Sequence, residues 1–196
     1  MKFKAIRNVH SPERDSKNAG YDLFTPEFDI QFLKDFYNLN SKHFKVLPDA
    51  EAIEMTKGKS IMLYPNGDSD LYKADHFNIK IPTGIKYKMN PCEREGFAKK
   101  FEIKNKSGIA SKHSIVVGAC VCDEEYQDEV IINLIGFKTF ELKPNFKIAQ
   151  GVISEVSIEP IEFIPFGDDT EIFTDKCANR GGGFGSTGTE PRKSRS

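Results

Sequence analysis

Phe77 to Met89 read "FNIKIPTGIKYKM", and the periodicity of this stretch decides the fold class. Phe77, Ile79 and Ile81 alternate with Asn78 and Lys80; after Pro82-Thr83-Gly84, Ile85, Tyr87 and Met89 alternate with Lys86 and Lys88. A period of two sends alternate side chains to a buried and a solvated face, whereas a helix would repeat its apolar residues every three or four. The stretch therefore predicts strand, turn, strand. Further along, "SIVVGACVC" (114–122) and "EVIINLI" (129–135) are β-branched apolar runs. The acidic "DEEYQD" between them predicts the tip of a hairpin buried on both faces. "KIAQGVISEVSIEPIEFI" (147–164) supplies more strand material. Short strands separated by turn signals predict an all-β barrel or sandwich.

Residues 31–75 follow another rule. "QFLKDFYNL" places Phe32, Leu33, Phe36 and Tyr37 on one helical face, and "PDAEAIEMTKGKS" predicts a short helix closed by Gly58. The stretch predicts a partly helical insertion between β elements that covers one side of the β structure, with a protein-partner surface as its alternative role.

The 196 residues, 38% hydrophobic and 29% charged, suit one globular domain with a substantial core. A formal charge of -1 excludes a general nucleic-acid or membrane-surface binder, because that affinity comes from a dense basic field. Any anionic ligand must meet a local cluster of cations. Cys92, Cys120, Cys122 and Cys177 form no C-x-x-C pair and no secreted disulfide spacing, which predicts reduced, buried thiols. The opening "MKFKAIRNVH" lacks a signal peptide's apolar stretch, so a cytoplasmic protein is expected.

Five stretches carry more polar specificity than a core needs. In "NAGYDLF", Asp22 sits between apolar neighbours; alone it reads as a turn or capping aspartate. "KNKSGIASKH" groups Lys106, Ser107 and Gly108: a cation, a hydroxyl and a closely approachable amide, as phosphate oxygens require. Its bland reading is a solvated turn. The hairpin tip carries five carboxylates between Asp123 and Glu129. A calcium loop would need glycine where Asp128 stands, so a solvated acidic turn is the bland reading. Asp123, however, directly follows a strand, where partial desolvation would suit a general base, and Tyr126 adds a ring beside it. In "KIAQGVI", Lys147 and Gln150 interrupt an apolar strand, and a buried Gln needs a partner. Finally, "RGGGFGSTG" (180–188) lacks the lysine of a P-loop, since Gly185 stands there. It reads as a flexible tail or as an arm that orders over an anionic ligand, with Phe184 available for stacking on a base.

In order along the chain, "AGYDL", "KSGIASKHSI", "GACVCDEEYQDEV", "KIAQ" and "RGGGFGSTG" resemble the five motifs of the homotrimeric dUTPase family. The resemblance covers residues 1–30 and 77–188 and leaves 31–75 unexplained. It implies a jelly-roll β barrel over residues 1–178 and a flexible arm, 179–196, closing over the active site. It also implies three active sites shared among three subunits. The implied reaction is magnesium-assisted hydrolysis of dUTP to dUMP and pyrophosphate, which keeps uracil out of DNA and supplies dUMP for thymidylate synthesis. By position, Asp123 resembles the carboxylate that activates water for in-line attack on the α-phosphorus. Tyr126 resembles the ring that packs under deoxyribose and excludes a 2′-hydroxyl. The backbone around Cys120, Cys122 and Ile131 resembles the uracil slot. Lys106, Ser107, Gly108 and Gln150 resemble the phosphate cradle, and Asp22 the residue that holds a water on Mg2+ bound by the triphosphate. In the arm, Arg180, Gly185, Ser186 and Thr187 are implied for phosphate and Phe184 for stacking on uracil. A dCTP deaminase of the same superfamily and a nucleotide-sensing regulator whose insertion binds a partner are the alternatives.

Some positions depart from the family pattern. Lys106 stands where Arg is common, exchanging a guanidinium fork for a point charge. Cys120 and Asp128 replace glycines, Gly136 replaces a frequent Asn, and the arm has one residue fewer between Arg180 and Phe184.

Overall fold

The computed structural model describes residues 1–44, 46–65 and 75–160. The chain divides into the units Met1–Glu159 and Pro160–Ser196, and the second shares only Pro160 with the described residues. The expected boundary at residue 178, and with it Arg180, Phe184, Gly185, Ser186, Thr187 and Cys177, lies outside them.

The first unit is mostly β with three helices, two of them in the stretch where a partly helical insertion is expected and one, Ser107–His113, outside it. Its elements are β1 (Lys2–Ala5), β2 (Tyr21–Phe24), α1 (Ile30–Leu39), α2 (Ala50–Thr56), β3 (Ile61–Leu63), β4 (Phe77–Pro82), β5 (Ile85–Lys88), β6 (Phe97–Asn105), α3 (Ser107–His113), β7 (Ile115–Val117), β8 (Val121–Asp123), β9 (Ile131–Gly136), β10 (Phe140–Leu142) and β11 (Lys147–Ser157). All strand pairs are antiparallel. They form sheets in the orders β2-β11-β6-β8, β4-β9-β7, β1-β5 and β3-β10. No helix among the described residues is long and apolar enough to cross a membrane.

The alternating stretch gives β4 and β5 as predicted, and Phe77, Ile79, Ile81, Ile85, Tyr87 and Met89 are all buried. The two strands do not pair with each other. Gly84, at φ +77° between them, turns the chain so that β4 joins β9 and β5 joins β1.

The hairpin expectation is right in part. β7 pairs with β9, but the pairing ends where Gly118 N–H donates to the Asn133 carbonyl at 2.9 Å. A Cβ on Gly118 would stand 2.1 Å from Asn133 Oδ1, so a side chain there would displace the Asn133 amide. The chain then crosses to the other sheet, where Ile103 N–H donates to the Cys120 carbonyl at 2.7 Å and β8 pairs with β6. The limbs are not buried on both faces: β9 alternates buried and half-buried residues, and Val121 is exposed. With water on one face, the β-branched outer residues satisfy strand propensity rather than burial. Cys92, Cys120 and Cys122 are free thiols, half-buried rather than buried.

The insertion forms its two predicted helices. Asp29 accepts from Phe32 N–H at 2.7 Å and caps α1, whose Phe32, Leu33 and Phe36 are buried. The Phe28 and Phe32 rings stack at 4.5 Å. Asp49 caps α2 in the same way, and Gly58, at φ +71°, stops it while donating to the Phe28 carbonyl. Buried Asn40 closes α1 onto β4: its amide nitrogen donates to the carbonyls of Phe36 and Lys80, and its amide oxygen accepts from Lys80 N–H, each at 2.8 Å. Residues 31–75 also contribute β3, paired with β10, and Phe32, Leu33, Phe36, Phe44, Ile53, Ile61 and Leu63 belong to the same core as the sheets.

Candidate active site

The register of β2, β11 and β6 brings three separate motifs together. Gln150 on β11 lies opposite Asp22 on β2 and Lys104 on β6. At the adjacent position, Leu23 and Ala149 are fully buried, so the alternation turns Asp22 and Gln150 to the outer face. A register shift between Lys147 and Ala149 in the pairing of β11 with β2 lets Lys147 share that face. Lys106 arrives from the end of β6, immediately before α3.

These four side chains meet at one carboxylate. Asp22 Oδ1 accepts from Lys106 Nζ at 2.8 Å and from Gln150 Nε2 at 3.2 Å, while Oδ2 stands 3.2 Å from Lys147 Nζ. Lys147 also pairs with Glu13. The Asp22 side chain is 13% exposed. Burial pushes its pKa up, but hydrogen bonds from Lys106, Gln150 and Lys147 outweigh burial and hold it below its ordinary 3.8. Bonds to Glu13 and Asp22 raise that of Lys147. The result is a fixed carboxylate with two ammonium groups beside an open cavity of about 430 Å³, lined by Glu13, Arg14, Asp15, Asn18, Asp22 and Lys147. Such a cluster can take up an anion's oxygens by releasing the ammonium groups from the carboxylate.

Asp22, Lys106 and Gln150 were each legible as candidates, and the structure joins them. Lys147, visible only as an interruption of its strand, proves to be the fourth member. Glu13 gave no signal, because its pairing with Lys147 spans most of the chain. Ser107 and Gly108 are exposed in the first turn of α3, a helix where the sequence offered only a turn. A Cβ on Gly108 would meet nothing within 4 Å, so no packing inside the chain demands glycine there.

The hairpin tip forms a second group. Asp123 ends β8 and is exposed, which corrects the expectation that it is partly desolvated: among the described residues β8 is the edge strand of its sheet. The Tyr87 hydroxyl donates to the Asp123 carbonyl at 2.5 Å, and Tyr126 N–H donates to the same oxygen at 3.2 Å. Tyr126 is half-buried, stacks on Tyr87 at 6.3 Å and donates its hydroxyl to the Glu129 carbonyl at 2.9 Å. Burial, then nearby Asp128, Cys122 and Glu129, raise the phenol pKa and keep that donor protonated. Burial, then Asp123 and Cys120, likewise raise the Cys122 thiol. Because β8 turns to β6 while β9 stays with β4, the backbones near Cys122 and Ile131 are not paired across the hairpin.

Within one chain the two groups are apart. Asp123 pairs with Lys100 on one edge of β6, and Gln150 with Lys104 on the other. Four residues of strand separate those positions by about 13 Å. Cys120 and Asp128 keep ordinary backbone: among described non-glycine residues only Ser114 and Asn145 have positive φ. Gly136 is explained by packing, since a Cβ would stand 2.0 Å from the buried Phe77 ring.

Comparison with known proteins gives relatives in sequence and in fold. A deoxyuridine 5'-triphosphate nucleotidohydrolase of Mus musculus is 43% identical over 86 residues, 42% of this chain and 48% of that protein. One from Clostridium kluyveri is 35% identical over 131 residues, 61% of this chain and 82% of that protein. The chain thus spans about half the length of the mouse relative. In fold it is similar to a mutant of the Staphylococcus bacteriophage 80alpha dUTPase solved with dUpNHpp, at a TM-score of 0.56 and 17% identity over 95% of this chain and 97% of that one. The dUTPase family model matches residues 70–188, which is more than half of the sequence and takes in the cradle, the hairpin and the arm motif. The chain belongs to the dUTPase family.

Proposed function

We propose that this protein hydrolyses dUTP to dUMP and pyrophosphate at sites shared by three copies of the chain, each copy folded as a jelly-roll β barrel. The observation that carries this reading is the convergence of Lys106, Asp22, Lys147 and Gln150 from three motifs far apart in sequence. The separation of Asp123 from that cluster supports a shared site, because a carboxylate on another copy must then supply the base.

In this reading the Asp123 carboxylate takes a proton from a water that attacks the α-phosphorus in line. The bond from that phosphorus to the α,β-bridging oxygen breaks, and the electron pair leaves with pyrophosphate. Lys106 and Lys147 neutralise charge on the phosphate oxygens, Gln150 orients water, and Ser107 and Gly108 offer a hydroxyl and an exposed amide. Tyr126 forms the wall that leaves no room for a ribose 2′-hydroxyl. Backbone groups at Cys120, Cys122 and Ile131 read the edge of uracil in the slot where the hairpin limbs part. Cytosine would leave those groups unpaired, costing about 1–3 kcal/mol per group. In the arm, Arg180, Ser186, Thr187 and the Gly185 amide close on phosphates and Phe184 on the base.

Magnesium fits the donor set. No three carboxylates, histidines or cysteines converge among the described residues, so the donors suit an ion held mostly by phosphate oxygens and water. Asp22, already engaged by two ammonium groups, would hold such an ion through a water. When bound, Mg2+ would offset the negative charge that grows on the phosphates.

The test is to incubate the chain with each dNTP and magnesium and to measure pyrophosphate and ammonia. Pyrophosphate from dUTP alone is expected. Ammonia from dCTP, or no turnover of any nucleotide, refutes the proposal.

A further inference from the structure

We infer that Arg7 is a positioning residue for the hairpin tip, tying the carboxylate of Asp35 on α1 to that of Glu129 and so fixing where Tyr126 stands. Arg7 Nε donates to Glu129 Oε1 at 2.8 Å and Nη2 to Oε2 at 2.9 Å, a two-pronged contact. Nη2 also donates to Asp35 Oδ2 at 2.7 Å, and Gln31 Nε2 holds the other Asp35 oxygen at 2.9 Å. The Arg7 and Glu129 side chains are 13% and 16% exposed, so this is not a solvated surface pair.

Glu129 is held from a third side. Gly84 N–H donates to its Oε1 at 2.7 Å, and a Cβ on Gly84 would come within 2.9 Å of Arg7 Cβ, so the turn between β4 and β5 is fitted to the arginine. The Glu129 carbonyl in turn accepts the Tyr126 hydroxyl, and the next residue, Val130, donates its N–H to Ile85 and accepts from Thr83. One guanidinium therefore links the amino-terminal segment, the insertion helix and the limb that carries Tyr126. The insertion, which the family pattern leaves unexplained, thereby gains a path to the sugar wall 91 residues away in sequence, from Asp35 to Tyr126.

The inference rests on the reading of Tyr126 as that wall. The full chain is compared with Arg7→Met, which keeps the stem and loses the fork, with Arg7→Lys and with Asp35→Asn. Steady-state hydrolysis of dUTP and UTP is measured beside hydrogen exchange of the 123–130 amides. Arg7→Met is expected to raise KM for dUTP and to cut the preference for dUTP over UTP about tenfold, since displacements of about 1 Å carry effects of that order or larger. Asp35→Asn shifts both in the same direction by less, Arg7→Lys recovers part of the loss, and exchange quickens at the tip. A lower active fraction with unchanged KM, unchanged preference and unchanged exchange overturns the inference. If Arg7→Met does not fold, Asp35→Asn decides by the same readouts. If the unaltered chain releases no pyrophosphate from dUTP, the proposed function fails, while hydrogen exchange still decides the positioning role.

Discussion

Gly136 faces Phe77 directly across β9 and β4, and the substitution Gly136→Ala tests that register. An added Cβ would lie 2.0 Å from Phe77 Cζ, 2.4 Å from Cε1 and 2.5 Å from Cε2. Carbon atoms in van der Waals contact stand about 3.5–4.0 Å apart, so the ring must retreat by about 1.5 Å. It cannot do so freely, because Phe77 is fully buried. Inserting a methyl group into a closed core costs about 1–3 kcal/mol, and a ring with no exposed side belongs at the upper end. For a chain of this size that lowers Tm by roughly 6–12 °C. The assay is a double-mutant cycle by denaturant unfolding at one protein concentration, with Gly136→Ala, Phe77→Leu and the pair. Shortening the ring makes room for the methyl group, so the pair should be less destabilised than the two single changes added, by about 1–2 kcal/mol. Additivity within about 0.5 kcal/mol would mean that the two residues do not meet and would refute the reasoning.

Two further outcomes follow from the site. Asp22 has a depressed pKa, so its contribution to stability is fully present above its ordinary 3.8 and is lost as pH falls through the lower folded value. The stability gap between the unaltered chain and Asp22→Asn should therefore stay constant from pH 5 to 8 and shrink progressively as pH falls below 3.8; a gap that closes already above that pH, or that does not shrink below it, contradicts the cluster. For the shared site, Asp123→Asn and Lys106→Met should each be inactive alone, whereas subunits unfolded together and refolded as a mixture should regain activity. Activity that stays absent in mixed, correctly folded assemblies would place both groups in one chain's site.

The strands were legible because strand patterning is a local property: β4 and β5 appear where Phe, Ile, Tyr and Met recur with period two, and β9 and β11 where β-branched residues cluster. The helices α1 and α2 were legible from one apolar face and from Asp and Gly at their ends. α3 was not, since "SGIASKH" contains a poor helix former and buries only Ile109. Strand partnership was hidden too. β7 and β8 are adjacent in sequence yet join different sheets, and the chain crosses between them where Gly118 meets Asn133, a contact 15 residues apart in sequence. In the site, Asp22 and Gln150 carried a signal as polar residues in apolar surroundings, and Lys106 as a cation grouped with a hydroxyl and a glycine. Arg7 and Glu129 carried none: their contact closes a loop of 122 residues, and each alone looks like an ordinary surface charge.

The central claim is that Asp123 activates water for attack on dUTP. It is tested most directly by Asp123→Asn, measuring dUTP affinity by calorimetry and pyrophosphate release in a single turnover. Removing only the proton-accepting charge should leave the affinity within a few-fold of the unaltered chain while release falls by about 100-fold or more. Loss of binding and turnover together would show that Asp123 holds the site's shape, and undiminished release would show that the base lies elsewhere.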